Sequence, residues 1–432
     1  MKTVLALAAA GGIAMAAPVP AQDLDPRSLE RPRVRTGLEV LLSSPEQFAL
    51  VEGKRVGLIT NPTGVDRELT STIDLLHRHP DVTLVALYGP EHGIRGDAYA
   101  GVSVGDDVDP ATGVPVYSLY GRRDQPVSET LSGVDVMLYD IQDVGSRSYT
   151  YIYAMARMMQ ECGRRNIPFV VLDRPNPCGA DLVDGNVLNP AEGTSGVGMY
   201  PIAYQYGMTP GETARMFNEE FLEVSCELHV VPMTGYTRAM RHWDTGLPFV
   251  PTSTHIPHAE TAIYYNLTGI IGELHNISIG VGYTIPFETI AAPYIDGNAL
   301  CQELRALNLP GLMFRPISYE PRYGPYGPIT TDGERTQQAQ MCHGVQVIIS
   351  DYQAVRPVTA QIHFMEVLQR MYPEENLFGP GNPRADMFNK VMGTQEIRNR
   401  IHAGDPADEI IADYQDGVLD FLQRRQRHLI YE

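Results

Sequence analysis

Apolar runs of strand length alternate with stretches of helical period along the first half of the chain. The strand-length runs lie at residues 55–60, 82–88, 135–139, 168–172 and 227–232. The stretches whose apolar positions recur with a helical period include residues 71–79, 151–164 and 211–221. Strands that alternate with helices in this way predict an α/β domain, built on a mostly parallel sheet with helices covering it.

The pattern changes near Gly235. Residues 243–328 carry clustered Pro, Gly and Tyr and few long helical periods. The later elements are predicted at residues 344–350 for a strand and at residues 357–372 and 408–429 for helices. Because 432 residues are more than one hydrophobic core usually organises, we expect two domains. In this interpretation residues 37–234 form the first domain and residues 235–432 form a second, α+β domain.

The first residues have the features of a secretory signal. Lys2 gives a cationic start, residues 4–17 are apolar, and Val19 and Ala21 are small residues at the −3 and −1 positions of a cleavage site. The apolar run is shorter than the roughly 20 residues that a membrane-spanning helix needs. We therefore predict cleavage after Ala21 and export to the periplasm or the medium without membrane insertion, with residues 22–36 as a linker or N-terminal arm.

Charge, cysteine content and missing motifs disfavour several kinds of partner. The formal net charge of −19 is spread along the chain without a Lys/Arg block that could neutralise phosphates, so we do not expect a nucleic-acid partner. The five cysteines lack zinc-type spacing, which disfavours a metal framework and leaves one disulfide possible. The glycine motifs of nucleotide binding and the HExxH motif are also missing from the sequence. We therefore expect neither a metal nor an organic cofactor.

A glycine-rich loop follows the predicted strand at residues 82–88. It reads Gly-Pro-Glu-His-Gly-Ile-Arg-Gly and places Glu91, His92 and Arg95 at the carboxyl end of a strand, where open α/β sheets bind ligands. Glycines at this density let the backbone aim its polar side chains. Glu91 is the first candidate for catalysis, although it could simply pair with Arg95, and His92 could serve only to orient a neighbour.

Polar side chains also follow the next two predicted strands of the sheet. They are Asp143, Arg147 and Tyr149 after one strand, and Asp173, Arg174 and Asn176 after the other. We expect three adjacent strand ends to form one cleft, with a turn at Gly145 exposing Asp143. Acids, amides and tyrosines suit sugar hydroxyls, and glycoside cleavage uses paired carboxyl groups. In the simpler interpretation Asp173 caps a helix, and Arg147 and Arg174 are structural ion-pair partners.

The second domain offers fewer candidates. Glu288 could reach the cleft from the opposite side, or it could be merely exposed. His255, His258 and His275 allow a zinc hypothesis, but no carboxylate or thiol completes a familiar ligand spacing, so hydrogen-bonded histidines are the simpler interpretation. The tyrosines of residues 322–328 are typical of a rim loop that offers flat apolar faces, or of packing.

Six ordered motifs resemble the bacterial exo-β-N-acetylmuramidases, a family of glycoside hydrolases. The motifs are GPEHGIRGDAYAG (89–101), VDPATGVPVYSLYG (108–121), YDIQDVGSRSYTYI (139–152), VLDRPNPCG (171–179), YGMTPGETARMFNEE (206–220) and FNKVMGT (388–394). The resemblance extends from about Gly37 to the C-terminus. It implies a Rossmann-like N-terminal domain and a smaller C-terminal domain. It also implies a cleft between them that releases N-acetylmuramic acid from the non-reducing end of peptidoglycan fragments.

The resemblance also assigns residues. The proposed catalytic glutamate of the family's GPEHG motif falls on Glu91. The other motif positions that the resemblance places near substrate are His92, Arg95, Asp143, Arg147 and Tyr149. Our hypothesis makes Glu91 the general acid, which requires a pKa raised by partial burial. A second carboxylate, Asp143 before Asp173 or Glu288, would act as base or would stabilise the transition state. Arg95 or Arg147 would bind the lactyl carboxylate of muramic acid.

One segment departs from the family pattern. Where many members carry an NISEGRGTTRPFE-like segment, this chain reads NISIGVGYTIPFE at residues 276–288. Ile279, Val281, Tyr283 and Ile285 therefore replace charged or polar residues, which would change specificity if those side chains contact substrate. Two other functions stay open: a periplasmic cell-wall-sugar-binding protein without turnover, and a glycosidase for another amino sugar. The sequence does not indicate an oligomeric state.

Overall fold

A computed structural model describes residues 34–90, 93–95, 107–119, 127–328 and 338–432. The strands are β1 (Arg55–Thr60), β2 (Thr83–Gly89), β3 (Asp107–Val108), β4 (Pro115–Ser118), β5 (Val136–Asp140), β6 (Phe169–Leu172), β7 (Asp184–Val187), β8 (Ala203–Gln205), β9 (Leu228–Val231), β10 (Thr289–Ala292), β11 (Leu312–Tyr319) and β12 (Cys342–Ile349). The α-helices are α1 (Gly37–Ser43), α2 (Pro45–Phe48), α3 (Thr72–Arg78), α4 (Tyr151–Arg165), α5 (Pro210–Glu220), α6 (Ala259–Gly272), α7 (Gly297–Ala306), α8 (Pro357–Met371), α9 (Ala385–Met392), α10 (Glu396–Ala403) and α11 (Ala407–Arg425).

A seven-stranded sheet organises the first domain. Its order is β3-β4-β2-β1-β5-β6-β9, and its neighbouring strands are parallel except for β3 beside β4. Without β3 this is the strand order of doubly wound dinucleotide-binding folds. The predicted Rossmann-like, mostly parallel sheet is therefore confirmed. The expectation of three adjacent strand ends is wrong in one respect, because β1 separates the end of β2 from the ends of β5 and β6.

Both faces of this sheet are covered by helices. In β5, Val136 and Leu138 join the core that contains residues of α1 and α3, whereas Met137 and Tyr139 join the core that contains residues of α4. All five residues of β5 are buried. Burial on both faces explains why the parallel strands read as continuous apolar runs.

The second domain is built on a smaller antiparallel sheet of order β10-β12-β11. Helices α6, α7 and α8 pack around it in one hydrophobic core. Helix α6 is buried on nearly all sides, so its sequence lacks the amphipathic period by which helices are recognised. The predicted second α+β domain is confirmed, and its expected start near Gly235 stays a prediction.

Two further expectations concern a disulfide bridge and membrane-spanning helices. All five cysteines lie in the described part of the chain, where each is buried and none is in a disulfide. The one bridge that the sequence allowed is therefore not formed. Within the described ranges, no helix combines the length and the apolar character needed to cross a bilayer.

Candidate active site

The crevice at the switch point between β1 and β5 is filled by the protein itself. Thr60 donates through its hydroxyl to the carbonyl oxygen of Asp140 at 2.9 Å, and the Gln142 backbone N–H donates to Oγ1 of Thr63 at 2.8 Å. Side chains from residues 242–250 help to line what remains, a cavity of about 10 Å³. That volume is far below the roughly 300–1,000 Å³ typical of ligand pockets. The described residues therefore leave no space of ligand size at this switch point.

The loop after β2 is described only in part, and Glu91 and His92 lie outside the described residues. After Pro90, the description resumes at Gly93, whose N–H donates to the Pro90 carbonyl at 3.2 Å and whose φ is 75°. Arg95 forms ion pairs with Asp109 at 2.6 Å and with Asp74 at 3.1 Å. The hydrogen bond to Asp109 raises the pKa of Arg95 above its usual value. Two carboxylates thus already occupy the guanidinium that was predicted to bind the lactyl group.

Asp143 lies after β5 but is only 2% exposed. Its Oδ2 accepts hydrogen bonds from the Gly145 N–H at 2.9 Å and from the hydroxyl of Tyr206. Burial raises the pKa of Asp143 to about 6. The expectation that the Gly145 turn would expose this carboxylate is wrong. The turn forms, with φ at 77°, but it packs directly against Asn176.

Asp173 is fully buried and holds two other parts of the chain. Its carboxylate accepts hydrogen bonds from the Tyr431 hydroxyl at 2.6 Å, from Oγ1 of Thr209 at 2.8 Å and from the N–H of Gly211 at 2.8 Å. Burial raises its pKa to about 7. Because Thr209 and Gly211 begin α5, the structure gives Asp173 the helix-capping role, together with an anchor for the C-terminal residues.

The two arginines are also used within the fold. Arg147 is fully buried and donates to the carbonyl oxygens of Asn186, Ile202, Val391 and Met392. Nothing about this geometry leaves its guanidinium available to a lactyl carboxylate. Arg174 forms a buried ion pair with Asp140 and donates to the Val65 carbonyl at 2.8 Å.

Asn176 has a comparable structural position. Its side chain donates to the Met208 carbonyl at 3.0 Å and accepts from the Cys178 N–H at 3.0 Å. Both polar atoms of its amide are therefore satisfied within the protein, as is expected for a buried asparagine.

Tyr149 joins the loop after β5 to the second domain. Its hydroxyl donates to Oγ1 of Thr252 at 3.1 Å, and the Tyr151 hydroxyl donates to the carbonyl of Thr252 at 2.7 Å. The ring of Tyr149 also lies edge to face with Tyr265, 6.0 Å between centroids, and Tyr265 meets Phe287 in the same way at 5.1 Å. The segment that begins at Thr252 is thus fixed on the N-terminal sheet.

An open cavity of about 410 Å³ begins two residues later. We call it the tyrosine cavity, and its lining includes Thr254, His255, His258, Tyr283, Pro286 and Tyr323. Its volume is within the roughly 300–1,000 Å³ range of ligand sites. None of the described residues that line it is Lys, Arg, Asp or Glu. The predicted rim loop of residues 322–328 contributes to it through Tyr323.

Glu288 lies close to this cavity. It is half-buried, accepts a hydrogen bond from Nε2 of Gln346 at 3.0 Å, and interacts electrostatically with His258. Burial raises the pKa of Glu288. Of the three acids predicted as the second carboxylate, Glu288 is therefore the one that remains partly exposed beside an open cavity.

The segment that departs from the family pattern divides between core and cavity. Ile279 is buried and packs in the core of the second domain, and Val281 packs against the same core. Tyr283 lines the tyrosine cavity and is 41% exposed. Of these three residues, only Tyr283 can therefore contact a ligand in the tyrosine cavity.

The zinc hypothesis finds no support in the described part of the chain. There, no group of three or more His, Cys, Asp or Glu side chains is arranged to hold a metal ion. His255 and His258 line the tyrosine cavity, and His275 adopts a positive φ of 56° at the end of α6.

Two features of the site were missed at the sequence level. Tyr206, which binds Asp143, lies in a quoted motif, but its partner is 63 residues away in sequence. Thr252, which accepts hydrogen bonds from Tyr149 and Tyr151, carries no motif at all. The mixture of Thr, Pro and His before α6 is the available signal, and in the sequence its histidines indicate only the zinc hypothesis.

Comparisons with known proteins cover nearly the whole chain. The N-terminal family of the exo-beta-N-acetylmuramidases NamZ matches residues 56–260, and the C-terminal family of the same enzymes matches residues 263–431. The chain is 42% identical over 405 residues to the peptidoglycan beta-N-acetylmuramidase NamZ of Bacillus subtilis (strain 168), covering 94% of this chain and 93% of that protein.

Two crystal structures of DUF1343 family proteins from Bacteroides fragilis NCTC 9343 share the fold. One has a TM-score of 0.84 and 43% identity and covers 93% of this chain and 100% of that chain. The other has a TM-score of 0.70 and 27% identity and covers 92% of this chain and 99% of that chain. Since both family matches and the Bacillus relative together span the two domains, the chain belongs to the exo-beta-N-acetylmuramidase NamZ family of glycoside hydrolases.

Proposed function

We propose that this protein removes N-acetylmuramic acid from the non-reducing end of peptidoglycan fragments. The observation that carries the proposal is the match to a peptidoglycan beta-N-acetylmuramidase over 94% of the chain, which includes both the sheet and the tyrosine cavity. The structure is consistent with it. The crevice of the sheet is filled, and an open cavity of ligand size lies in the second domain, next to the junction at Thr252.

Glu91 is the general acid in this proposal. It follows directly on Pro90 after the carboxyl end of β2, in the GPEHG motif of the family. Its protonated carboxyl group would give its proton to the glycosidic oxygen as the bond from that oxygen to the anomeric carbon breaks. The muramic acid gains a hydroxyl group from water at the anomeric carbon, and the remaining sugar leaves with a new hydroxyl group.

Glu288 is the second carboxylate that the geometry favours. Asp143 and Asp173 are buried and accept hydrogen bonds from other parts of the fold, whereas Glu288 is half-buried near His258 and the cavity. A carboxylate in this position could accept the proton of the attacking water or attack the anomeric carbon itself. In the first case the configuration at that carbon is inverted, and in the second it is retained.

A pair of chromogenic substrates tests the proposal. We expect the mature protein to release the chromophore from a β-N-acetylmuraminide, and we expect Glu91→Gln to lower kcat about 10²–10⁴-fold, the range for loss of a general acid. Glu129→Gln changes an exposed glutamate of the same domain and should retain full activity. Release from the matching glucosaminide instead would indicate a glycosidase for another amino sugar. Binding of the muraminide without release by the wild type would indicate a cell-wall-binding protein.

We also propose that the chain is exported. Residues 1–33 lie outside the described residues, so the support is the sequence alone: a cationic start, an apolar run, and small residues at Val19 and Ala21. Expression of the full chain in a bacterial host, followed by N-terminal sequencing of the mature protein, should give Gln22 as the first residue if cleavage follows Ala21. Retention of Met1 on protein in the cytoplasm would contradict the proposal.

A further inference from the structure

The tyrosine cavity has two aromatic side chains at its surface that are held by the backbone. Gly282 has a φ of 83°, and a Cβ atom built on it would lie 2.4 Å from the backbone nitrogen of Tyr323. The N–H of Arg322 donates to the carbonyl of Gly282 at 2.8 Å. Only glycine accommodates both this φ and this close approach. The segments that carry Tyr283 and Tyr323 are therefore fixed against each other.

Tyr283 is supported from below by a second tyrosine. Its ring is stacked on that of Tyr319, with centroids 4.6 Å apart and an interplanar angle of 24°. Tyr319 is itself buried, and its hydroxyl hydrogen-bonds to Oγ of Ser278 at 2.8 Å and to Oγ1 of Thr289 at 2.6 Å. Tyr283 is 41% exposed, and the ring on which it is stacked is buried and hydrogen-bonded. It thus offers a flat apolar surface whose ordering costs little on binding.

The lining has the wrong charge for the sugar that carries a carboxylate. A lactyl carboxylate calls for a lysine or arginine, and the described lining residues include neither. An uncharged pyranose has no such conflict. Its face of C–H groups can cover an aromatic ring, and its hydroxyl groups can bond to histidine and threonine side chains such as His255, His258 and Thr254.

We propose that the tyrosine cavity binds the uncharged amino sugar to which N-acetylmuramic acid is attached, with Tyr283 as its platform. The inference rests on the proposed function, because it names the second half of the same substrate. It makes Tyr283 a residue that determines specificity and touches the leaving sugar. The residues around Glu91 would then serve the muramic acid itself.

Two substrates with leaving groups of similar chemistry test this inference. One is the disaccharide of N-acetylmuramic acid β-linked to N-acetylglucosamine, and the other is methyl β-N-acetylmuraminide, whose leaving group is an alcohol too small to reach a platform. The ratio of kcat/KM for the disaccharide to kcat/KM for the methyl glycoside isolates the contribution of the second ring. We expect Tyr283→Ala to lower this ratio about tenfold, equivalent to about 1.4 kcal/mol, through the disaccharide alone.

Two further variants control for folding. Tyr283→Phe should keep the ratio within about twofold, because the aromatic face that would contact the sugar is retained. Met313→Ala truncates an exposed side chain of the same domain outside the cavity lining and should also leave the ratio unchanged. An unchanged ratio in Tyr283→Ala would overturn the inference. An equal loss on both substrates would overturn it too, because Tyr283 would then serve the muramic acid or the fold.

Failure of the proposed function would give a different result. If the wild type cleaves neither substrate, the proposed reaction fails, and the cavity is then tested by titrating methyl β-N-acetylglucosaminide into the protein by calorimetry. Weaker binding in Tyr283→Ala than in the wild type would support the cavity as a sugar site. Absence of binding to the wild type, or equal binding to both proteins, would overturn it.

Discussion

The sheet ends of the first domain and the tyrosine cavity of the second use polar side chains in opposite ways. At the sheet ends, Asp143, Asp173 and Arg147 are buried and bonded to other parts of the chain. At the cavity, Tyr283 is 41% exposed and Glu288 is half-buried. Acids and arginines after strands thus do not by themselves mark a binding surface, since the same residue types are what a fold uses to join loops, helices and a second domain.

This comparison predicts that substitutions in the first group reduce stability and that substitutions in the second group reduce activity. Four changes test this difference, and they are given in order of decreasing effect.

Glu288→Gln should have the largest effect. We expect kcat for muraminide hydrolysis to fall about 10²–10⁴-fold with the free energy of unfolding nearly unchanged, because the half-buried amide keeps the shape of the acid and loses only the proton transfer. Asp143→Asn is the matched control at the sheet ends and should retain kcat in the folded fraction. Steady-state kinetics with urea titrations of both variants measure this. The opposite pattern would make Asp143 the second carboxylate.

Arg147→Met should lower the free energy of unfolding by about 3–5 kcal/mol, since each buried acceptor that is left without a donor usually costs about 1–3 kcal/mol. The variant leaves four carbonyl oxygens without their donor and should retain kcat where it is folded. Arg55→Met, in the exposed ion pair with Asp135, should leave the urea midpoint close to that of the wild type. A stable Arg147→Met protein with a raised KM would return Arg147 to the binding site.

Asp173 should make stability depend on pH. Its folded pKa of about 7 lies above the ordinary value of 3.8, so the stabilisation from its protonated form is complete below about pH 4 and is lost as pH rises through 7. Over this interval we expect a loss of about 2–4 kcal/mol, to which Asp143 contributes in the same direction. Urea titrations between pH 4 and 8 should show a shallower dependence in Asp173→Asn.

Asp109→Asn provides a control of opposite sign for this measurement. The Arg95 guanidinium lowers the pKa of Asp109, so its contribution to stability is present above its unfolded pKa and is lost in acid. The substitution should therefore reduce stability at pH 7 and leave the slope that Asp173 produces between pH 4 and 7. Equal slopes in the wild type and in Asp173→Asn would contradict the assignment to Asp173.

Tyr149→Phe should have the smallest effect, about 1 kcal/mol in the free energy of unfolding, from loss of the hydrogen bond to Thr252. Tyr149 and Thr252 share one hydrogen bond between the two regions, so Thr252→Val should lower the free energy of unfolding by a similar amount. The double variant should lower it by less than the sum of the two single variants. A double-mutant cycle by urea denaturation measures this coupling. Strict additivity would show that the Tyr149 hydroxyl does not connect the regions energetically.

Local patterns in the sequence were enough for the main sheet and its helices. The predicted strand at residues 55–60 coincides with β1, and the predicted helix at residues 151–164 differs from α4 by one residue. Both predictions use the spacing of apolar residues over a short segment, which the sequence shows directly. Helix α6 was not predicted, because it is buried on nearly all sides and its apolar residues therefore lack a helical period. The motifs were also sufficient to indicate the family to which the chain belongs.

Only the tertiary structure decided which polar residues are free to act. Asp143 is buried against Tyr206, whose hydroxyl donates a hydrogen bond to it. Asp173 is buried in the same way against Tyr431, which is 258 residues away in sequence. Tyr283 becomes a platform only because Tyr319 lies beneath it. Burial and hydrogen-bond partners are set by contacts between distant segments, and the chemistry of a carboxylate or a ring follows from those contacts rather than from its neighbours in the chain.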